Sequence, residues 1–319
     1  MIKTNHIVLL GAGFSRNWGG WLASEAFDYL LGSRELDDTT RNLLWKYKNS
    51  GGFESALSEI QEQPGQDETS SNRLVVFQSA IQKMFSDMNK AYEKTSFEFL
   101  PPMQDYKYGI GYFLSGFDAI FTLNQDLLLE QHYLSKNDLS LKRNGNFIST
   151  AIPGIKEVRN TFDPFVSAYC GKCIPDLSNR LFDDQTQPYF KLHGSCNWET
   201  PENNHLLIVG GNKNLLIDQH PHLKWSLEQF VSYLDRADTC LMVIGYSFCD
   251  EHINEIILQA ARNRDFSLFI IDPNGVDVLR SDELIFALGP RIIGSSRRHL
   301  SEIFGRDIAE HGKVMRFFG

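Results

Sequence analysis

The residues best suited to ligand chemistry follow an apolar run near the start of the sequence, where the chain reads VLLGAGFS from position 8. Gly11 and Gly13, separated by Ala12, allow the backbone to approach a diphosphate, and the amides of a following helix favour an anion. Ser15 could cap that helix or bond a phosphate oxygen. Because Arg16 stands where a G-x-G-x-x-G motif has its third glycine, a purely structural tight turn is the alternative.

A second group of polar residues follows the apolar run Ala119–Leu123. Asn124 and Asp126 come just after this predicted strand, and open α/β folds bind ligands at the carboxyl ends of their strands. An amide and a carboxylate at that place can orient water or stabilise positive charge. The alternative is that both side chains only cap a helix that begins at Leu127.

Three further strand ends carry residues suited to ligand contacts. His193 follows an apolar run, at a position where an imidazole can face a ligand and exchange a proton near neutral pH. Gly245 and Ser247 could approach a phosphate or a ribose, and Asp272 is an acceptor suited to ribose hydroxyls. Taken singly, a histidine is more often structural than catalytic, and the other residues also fit turn chemistry.

The elements that must position these residues are short apolar runs separated by helical patterns. Runs without polar alternation are typical of strands covered on both faces, as in a parallel sheet. The runs are His6–Leu10, Ala119–Leu123, Tyr189–Leu192, Leu206–Val209, Cys240–Ile244 and Ser267–Ile271. Helical spacing in Leu223–Ala237 and His252–Arg264 completes a β-α-β alternation. We therefore expect an α/β fold with a doubly wound, mostly parallel Rossmann-like sheet.

Two stretches interrupt this alternation, and we expect both to be insertions in a single domain that spans residues 1–319. Residues 32–115 predict a helical insertion, because apolar residues recur there at helical spacing. The helical segments are Phe53–Gln63, Arg73–Tyr92 and Gln104–Leu114, punctuated by Pro64-Gly65 and Pro101-Pro102. Residues 136–187 mix Gly, Pro and Asn with few periodic runs and predict a loop-rich insertion.

The composition excludes several classes of protein. Of the 319 residues, 42% are hydrophobic and 22% are charged, as in ordinary soluble globular proteins. The net charge of −9 argues against a general attraction to nucleic acid or anionic membranes. No apolar run approaches the roughly 20 residues that span a bilayer, and no signal-peptide pattern is evident. Five cysteines without a regular framework fit a reducing compartment, so we expect a cytoplasmic protein.

Together, the strand ends resemble the sirtuin family in their order and residue types: GAGxS, T-x-N-x-D, His-Gly, Gly-x-Ser and a ribose-binding polar residue. Sirtuins bind NAD with a Rossmann-like domain and break its bond between nicotinamide and ribose. The resemblance implies NAD contacts at Gly11, Ala12, Gly13, Ser15, Thr122, Gly245, Ser247 and Asp272, and catalytic roles for Asn124, Asp126 and His193. On this basis Asn124 and Asp126 border the nicotinamide ribose, and His193 is the catalytic base.

Departures from the sirtuin pattern indicate a divergent branch. Sirtuins carry a zinc ribbon of two cysteine pairs after His-Gly, whereas Cys170-x-x-Cys173 is a single pair that precedes it. We therefore expect no zinc ribbon and no metal. The run GYSFCDEHIN, which begins at Gly245, is similar to a stretch common in sirtuin-like domains of bacterial anti-phage systems. In those domains the run replaces the peptide-binding strand, helices are inserted, and NAD is hydrolysed.

This second resemblance implies an NAD hydrolase that releases nicotinamide and ADP-ribose and acts as an NAD-depleting effector in anti-phage defence. Asn124 is expected to position the attacking water through its amide, His193 to accept a proton, and Asp126 to orient neighbours or stabilise positive charge. Two other functions stay open: an NAD-dependent protein deacylase and a non-catalytic NAD or ADP-ribose sensor.

Control of such an enzyme is expected to come from outside the site, because unrestrained NAD loss would kill the host cell. We expect a homo-oligomer or a separate partner, which by family resemblance is a HerA-type ATPase or, alternatively, an Argonaute. We expect no direct contact with nucleic acid and none with a membrane.

Overall fold

The computed structural model describes residues 4–62, 68–100, 106–134, 142–143, 146–147, 149–158, 169–200, 205–210, 213–264 and 266–319. Some predicted features lie outside these ranges, namely Gln63, Gln104, Pro64-Gly65, Pro101-Pro102 and parts of the stretch 136–187.

The strands are β1 (Asn5–Leu10), β2 (Ala119–Thr122), β3 (Lys142–Arg143), β4 (Asn146–Phe147), β5 (Ser149–Ala151), β6 (Ile155–Glu157), β7 (Cys173–Pro175), β8 (Thr186–Lys191), β9 (Gly194–Glu199), β10 (His205–Leu207), β11 (Thr239–Ile244), β12 (Phe266–Ile271) and β13 (Ile292–Ser296). The α-helices are α1 (Ala12–Ser15), α2 (Ala23–Leu31), α3 (Asp38–Tyr47), α4 (Gly52–Gln61), α5 (Glu68–Tyr92), α6 (Ile110–Ser115), α7 (Lys213–Gln219), α8 (Pro221–Leu234), α9 (Glu251–Asn263), α10 (Asp282–Leu288), α11 (Leu300–Ile303) and α12 (Ile308–Met315). Short 3₁₀ turns cover Arg16–Trp18, Tyr106–Tyr108, Gly275–Val278, Gly289–Arg291 and Arg316–Phe318, and a π-helical turn covers Glu130–Leu134.

The fold is built on a parallel sheet with helices on both sides. Among the described residues its seven strands follow the order β13-β12-β11-β1-β2-β8-β5, and every neighbouring pair is parallel. The chain passes from β1 to β2 and β8 on one side and then crosses to β11, β12 and β13 on the other. The predicted doubly wound, Rossmann-like sheet is therefore confirmed, with β1 at the point where the winding direction changes.

The central strands are buried on both faces because their side chains alternate between two apolar cores. On β1, Val8 and Leu10 belong to one core, which also contains side chains of α6, α11 and α12. Ile7 and Leu9 belong to the other core, which contains side chains of α8, α9 and α10. All four side chains are fully buried, as the unbroken apolar runs predict.

The helices between β1 and β2 form a third core of their own. Phe27 of α2, Leu44 of α3, Leu57 of α4 and Phe77 of α5 pack together there. Helix α2 precedes residue 32 but belongs to this cluster, whereas α6 packs against the sheet. The third core thus includes a helix that precedes the predicted insertion 32–115 and excludes α6, and the bounds of the insertion stay a prediction. In the part of the chain that the structure describes, no helix is both long and apolar enough to cross a membrane.

One predicted strand belongs to a different sheet from the one expected. Leu206–Val209 was expected among the strands of the parallel sheet, but β10 pairs antiparallel with β9 in a second sheet, ordered β10-β9-β7-β6 in the described ranges. Strands β6 and β7 come from the stretch expected to be loop-rich. The edge strand β13, with sequence IIGSS, lacks the long apolar run that marks the inner strands.

Candidate functional site

The ends of the central strands lie side by side because the parallel strands pair in register. Leu10 pairs with Thr122 on one side and with Ile244 on the other. Thr122 in turn pairs with Lys191, and Ile244 pairs with Ile271. The segments that follow these residues therefore meet at one edge of the sheet.

A cavity of about 670 Å³ opens at this edge, within the range of about 300–1,000 Å³ that is usual for ligand sites. Of the residues predicted from the sequence, those that line it are Gly11, Ala12, Gly13, Asn124, Asp126, His193, Gly245, Ser247 and Asp272. Most of the predicted site thus comes together, although its members are up to 261 positions apart in the chain.

Gly11 and Gly13 allow close contact with the backbone of Gly245. From the sequence, they were expected to allow close contact with a diphosphate. A Cβ on Gly11 would lie 2.5 Å from the carbonyl oxygen of Gly245, and one on Gly13 would lie 2.7 Å from its Cα. Gly245 itself has φ +62°, a conformation that favours glycine. The Gly13 amide donates to the Gly245 carbonyl at 2.9 Å and the Gly11 amide to Ile244 at 3.0 Å. These two amides are therefore already paired within the chain, and the turn binds β11 closely.

Ser15 and Thr122 lie behind the cavity and do not line it. Ser15 ends α1 instead of capping it, because the N-cap position is occupied by Gly11. Its hydroxyl accepts a hydrogen bond from Asn124 Nδ2 at 3.0 Å. The Thr122 hydroxyl donates to the Leu10 carbonyl at 3.2 Å and accepts from the backbone amide of Asn124 at 3.0 Å. Both side chains thus position Asn124, and the direct contact with NAD that the resemblance implies for them stays a prediction.

Asn124 presents its side-chain oxygen to the cavity. Its Nδ2 donates to the Gly11 carbonyl at 2.9 Å and to Ser15. A carbonyl oxygen can only accept, so this contact fixes which end of the amide is the nitrogen. The Nδ2 group is consequently occupied by the chain, and Oδ1 is left as an acceptor for a ligand or a water molecule.

Asp126 is almost fully buried, and its side chain bonds the backbone shortly before the π-helical turn Glu130–Leu134. Its Oδ1 accepts from the Leu128 amide at 3.0 Å. Burial raises the pKa of Asp126, and the nearby Lys191 ammonium opposes that shift. Lys191 is itself fully buried; it donates to the Asp126 carbonyl at 2.5 Å and to Glu130 at 2.6 Å. This buried ion pair fixes the backbone at Asp126.

His193 is 3% exposed, and its ring meets a second histidine. The Nε2 atoms of His193 and His252 are 2.9 Å apart. Burial is the main reason that the pKa of His193 falls to about 3; nearby Asp250 opposes the shift and Lys213 adds to it. The ring is therefore neutral at neutral pH and has a lone pair that can accept a proton, whereas the sequence suggested a pKa close to neutrality.

A chain of charges connects this histidine to the helical insertion. Lys213 donates to Asp250 at 2.6 Å and lies 3.0 Å from a carboxylate oxygen of Glu54 on α4. Asp250 also lies beside His193 and His252, and one donor atom from each of these three residues falls within 4.8 Å of the others. This group has the composition of a metal site, but Lys213 already provides a positive charge to Asp250. The absence of metal stays a prediction.

The expectation that the chain lacks a zinc ribbon was based on Cys170 and Cys173. Cys173 is buried in β7, and its thiol lies 3.5 Å from the Gly171 carbonyl. Across the ranges described, the one group of histidine, cysteine and acidic side chains close enough to share an ion is the His193 group, and it contains no cysteine. No zinc ribbon is evident in the part of the fold that the structure describes.

Sequence reasoning missed three residues of the site. Asp250 and His252 belong to the GYSFCDEHIN run, but their proximity to His193 depends on how that run folds. Phe248 within it has φ +54°, a left-handed conformation that is costly for a bulky residue. Arg16 lines the cavity beside the glycine turn, 45% exposed and paired with Glu25 at 2.8 Å. A guanidinium at that position suits a diphosphate.

Comparison with known families identifies a family model that matches part of the chain. Residues 118–287 match the family model described as a SIR2-like domain, which is more than half of the chain. The matched region begins one residue before β2 and ends within α10, so it includes Asn124, His193 and the GYSFCDEHIN run but not the glycine turn. A search of curated proteins found no significant match.

Proposed function

Since the chain belongs to the SIR2-like domain family, we propose that it is an NAD glycohydrolase that cleaves the bond between nicotinamide and ribose. Members of this family use NAD as a substrate, so an NAD-dependent enzyme is the general expectation. Hydrolysis, with water as the acceptor of the ADP-ribosyl group, is the specific proposal.

The observation that carries the proposal is the pairing of an acceptor and a base in one cavity. Asn124 Oδ1 is left unused by the chain, and the neutral ring of His193 lines the same cavity. One side chain can orient a water molecule and the other can take its proton. Asp126 lines the same cavity, and its carboxyl group is the proposed stabiliser of the positive charge that develops during cleavage.

The chemistry follows from the bond that breaks. Nicotinamide leaves NAD as a neutral molecule, taking the electron pair of its bond to the ribose, and the sugar acquires oxocarbenium character. Asn124 Oδ1 accepts a hydrogen bond from water and so directs a lone pair of the water oxygen to the anomeric carbon. His193 receives the proton that this water loses as the new C–O bond forms. The products are nicotinamide, ADP-ribose and one proton.

The structure of the GYSFCDEHIN run favours water over an acyl-lysine peptide. Tyr246 donates its hydroxyl to Asn254 at 2.8 Å, and Asn254 donates to the Phe248 carbonyl at 2.8 Å. The run therefore folds on itself and enters α9 directly, instead of extending as a strand that a peptide could join. This supports hydrolysis against the deacylase alternative.

We further propose a role as an NAD-depleting effector in anti-phage defence, controlled by self-assembly or by an ATPase partner of the HerA type. This rests on the resemblance of the run that begins at Gly245 to runs in such systems. Helix α4 is a suitable point of control, because Glu54 reaches the Lys213–Asp250 pair beside the catalytic histidine.

The test is incubation with NAD alone, followed by chromatography for nicotinamide and ADP-ribose. The same reaction is run with an acetyl-lysine peptide and with candidate partner proteins, and Asn124→Ala serves as the inactive control. We expect equal amounts of nicotinamide and ADP-ribose without any peptide. Product formed only with peptide, as O-acyl-ADP-ribose, would show a deacylase; saturable binding of ADP-ribose without cleavage under any condition would show a sensor.

A further inference from the structure

The proposed base lies in a place from which a proton cannot easily leave. His193 is 3% exposed, and burial holds its pKa near 3. A buried imidazolium of such low proton affinity is unfavourable, yet each hydrolysis releases one proton. The site therefore needs a second group that removes the proton from His193 during turnover.

His252 is placed to be that group. Its Nε2 lies 2.9 Å from Nε2 of His193, which is hydrogen-bonding distance. His252 is only half-buried, and among the described residues it is not part of the cavity lining. It thus contacts the base from outside the cavity and retains exposed surface of its own.

The contact also restricts the tautomers of the two rings. When both are neutral, one Nε2 must carry a hydrogen and the other must present its lone pair. If Nε2 of His193 carries the hydrogen, its Nδ1 has the lone pair that accepts a proton from water. Protonation at Nδ1 then makes the Nε2 proton acidic, and the acceptor next to it is Nε2 of His252.

We propose that His193 and His252 form a proton relay that carries the hydrolysis proton from the cavity to solvent. One proton passes from water to His193 Nδ1, a second passes from His193 Nε2 to His252 Nε2, and a third leaves His252 Nδ1 for solvent. Proton exchange of the two rings with water after product release restores the starting tautomers. No redox step or further reactant is involved. The relay rests on the proposed hydrolysis, in which His193 is the base.

The charged groups around the two rings favour transfer outward. Asp250 faces both histidines and stabilises their protonated forms, whereas Lys213 disfavours them. Lys213 is paired with Asp250 and with Glu54 of α4, so its charge is largely compensated. His252 keeps some exposure to water, which makes its cation less costly than that of His193.

The test compares His252→Gln with the wild type in the full chain, with His205→Gln, an exposed histidine of β10 outside the cavity, as the matched control. A glutamine can accept a hydrogen bond from His193 but cannot pass a proton on. We expect kcat to fall about 10- to 100-fold with little change in KM. Added imidazole is expected to restore the rate of His252→Gln and to leave the wild type and His205→Gln unaffected.

Different results would separate the possible failures. A normal kcat in His252→Gln, with no response to imidazole, would refute the relay and leave the proposed hydrolase intact. Lost activity without rescue would indicate a structural role only. Stoichiometric bound metal whose removal stops the reaction would also refute the relay, because the ion would occupy both Nε2 lone pairs. Failure of the wild type to release nicotinamide, with or without partner, would refute the hydrolase and the relay together; ¹⁵N spectra of the two rings would still report the hydrogen bond.

Discussion

The two ends of the cavity are built in different ways. At the end formed by β2 and β8, the functional groups are side chains that lie largely buried, as Asp126 and His193 do, and their backbone or rings are held by hydrogen bonds. At the end formed by β1, β11 and β12, the wall is backbone, and the polar side chains are more accessible: Ser247 is exposed and Asp272 is half-buried.

Under the proposed function, this difference separates the residues that carry out the chemistry from those that bind the substrate. A buried, hydrogen-bonded group cannot move without cost, so the β2–β8 end can hold a water molecule and a base in fixed geometry before the substrate arrives. An accessible end can accept a long dinucleotide but contributes contacts of moderate strength, because its groups lose solvation on binding. Changes at the first end should therefore act on kcat, and changes at the second should act on affinity.

The largest effect is expected for Asn124→Ala, which removes the acceptor for the attacking water. Cleavage of NAD should fall below detection, and affinity for ADP-ribose should change little. The substitution should also lower the free energy of unfolding by about 1–3 kcal/mol, because the Asn124 side chain donates hydrogen bonds to Gly11 and Ser15. Ser15→Ala is the control: it removes one of those bonds but keeps Oδ1. Normal turnover by Asn124→Ala, measured where the wild type is active, would contradict the assignment.

His193→Ala should lower kcat by about 10²- to 10⁴-fold, as expected for loss of a general base. A merely structural histidine would instead show lost stability with a proportionate loss of active protein. His222→Ala is the matched control, since His222 is also buried, its pKa is lowered by burial to about 4, and it is not among the cavity-lining residues of the described chain. Kinetics and thermal melts on both variants separate the two roles.

The same histidine should leave a signature in the pH dependence of stability. Its pKa is about 3 in the folded state and near 6.5 in an unfolded chain, so the unfolded state binds more protons between these values. The free energy of unfolding should therefore fall as the pH drops below about 6.5, by up to about 1.4 kcal/mol per pH unit for this group. Replacing His193 should reduce that slope, as measured by denaturant unfolding at several pH values.

Gly13→Ala tests what the glycine turn is needed for at the end of the cavity formed by β1, β11 and β12. The turn is needed either for packing against Gly245 or for binding the ligand. Its Cβ would meet Gly245 at 2.7 Å, so we expect a loss of about 1–3 kcal/mol or more in the free energy of unfolding even without NAD. Gly312→Ala is the control, because nothing lies within 4 Å of the added atom. Unchanged stability with lost NAD affinity would return the turn to the role expected from sequence, a direct cradle for the diphosphate.

The sheet could be predicted because burial on both faces leaves a local signal in each strand. Val8 and Leu9 lie on opposite faces of the sheet, yet both are apolar. Strands β2 and β11 likewise have apolar residues on both faces. Residues at the strand ends could then be assigned to one edge, since parallel strands align their carboxyl ends. Most of the second sheet had no such signal: β6 and β7 have three residues each, and the apolar run that was found there, Leu206–Val209, did not show that β10 pairs antiparallel with β9.

The site was predictable as a set of positions but not as a set of contacts. The glycine turn was found, but its partner, Gly245, depends on the register between β1 and β11. His193 was found, whereas His252 comes near it through a turn in which Phe248 has a positive φ. Burial is likewise invisible in a motif, so the sequence did not show that the Ser15 hydroxyl accepts from Asn124 or that Ser15 is not among the cavity-lining residues of the described chain.

The smallest expected effect is at Asp272, which lines the cavity at its accessible end. Its Oδ1 accepts from the amide and side chain of Asn274 at 2.8 and 3.1 Å, so the carboxylate is oriented and Oδ2 is left for a ribose hydroxyl. Asp272→Asn keeps the shape and the Oδ1 acceptor but removes the charge, and we expect affinity for ADP-ribose to fall by about tenfold or less, roughly 1.4 kcal/mol. Calorimetry with ADP-ribose measures this without turnover, and kcat for NAD should stay near the wild-type value. A large fall in kcat with unchanged affinity would mean that the accessible end takes part in the chemistry, and the separation between the two ends would not hold.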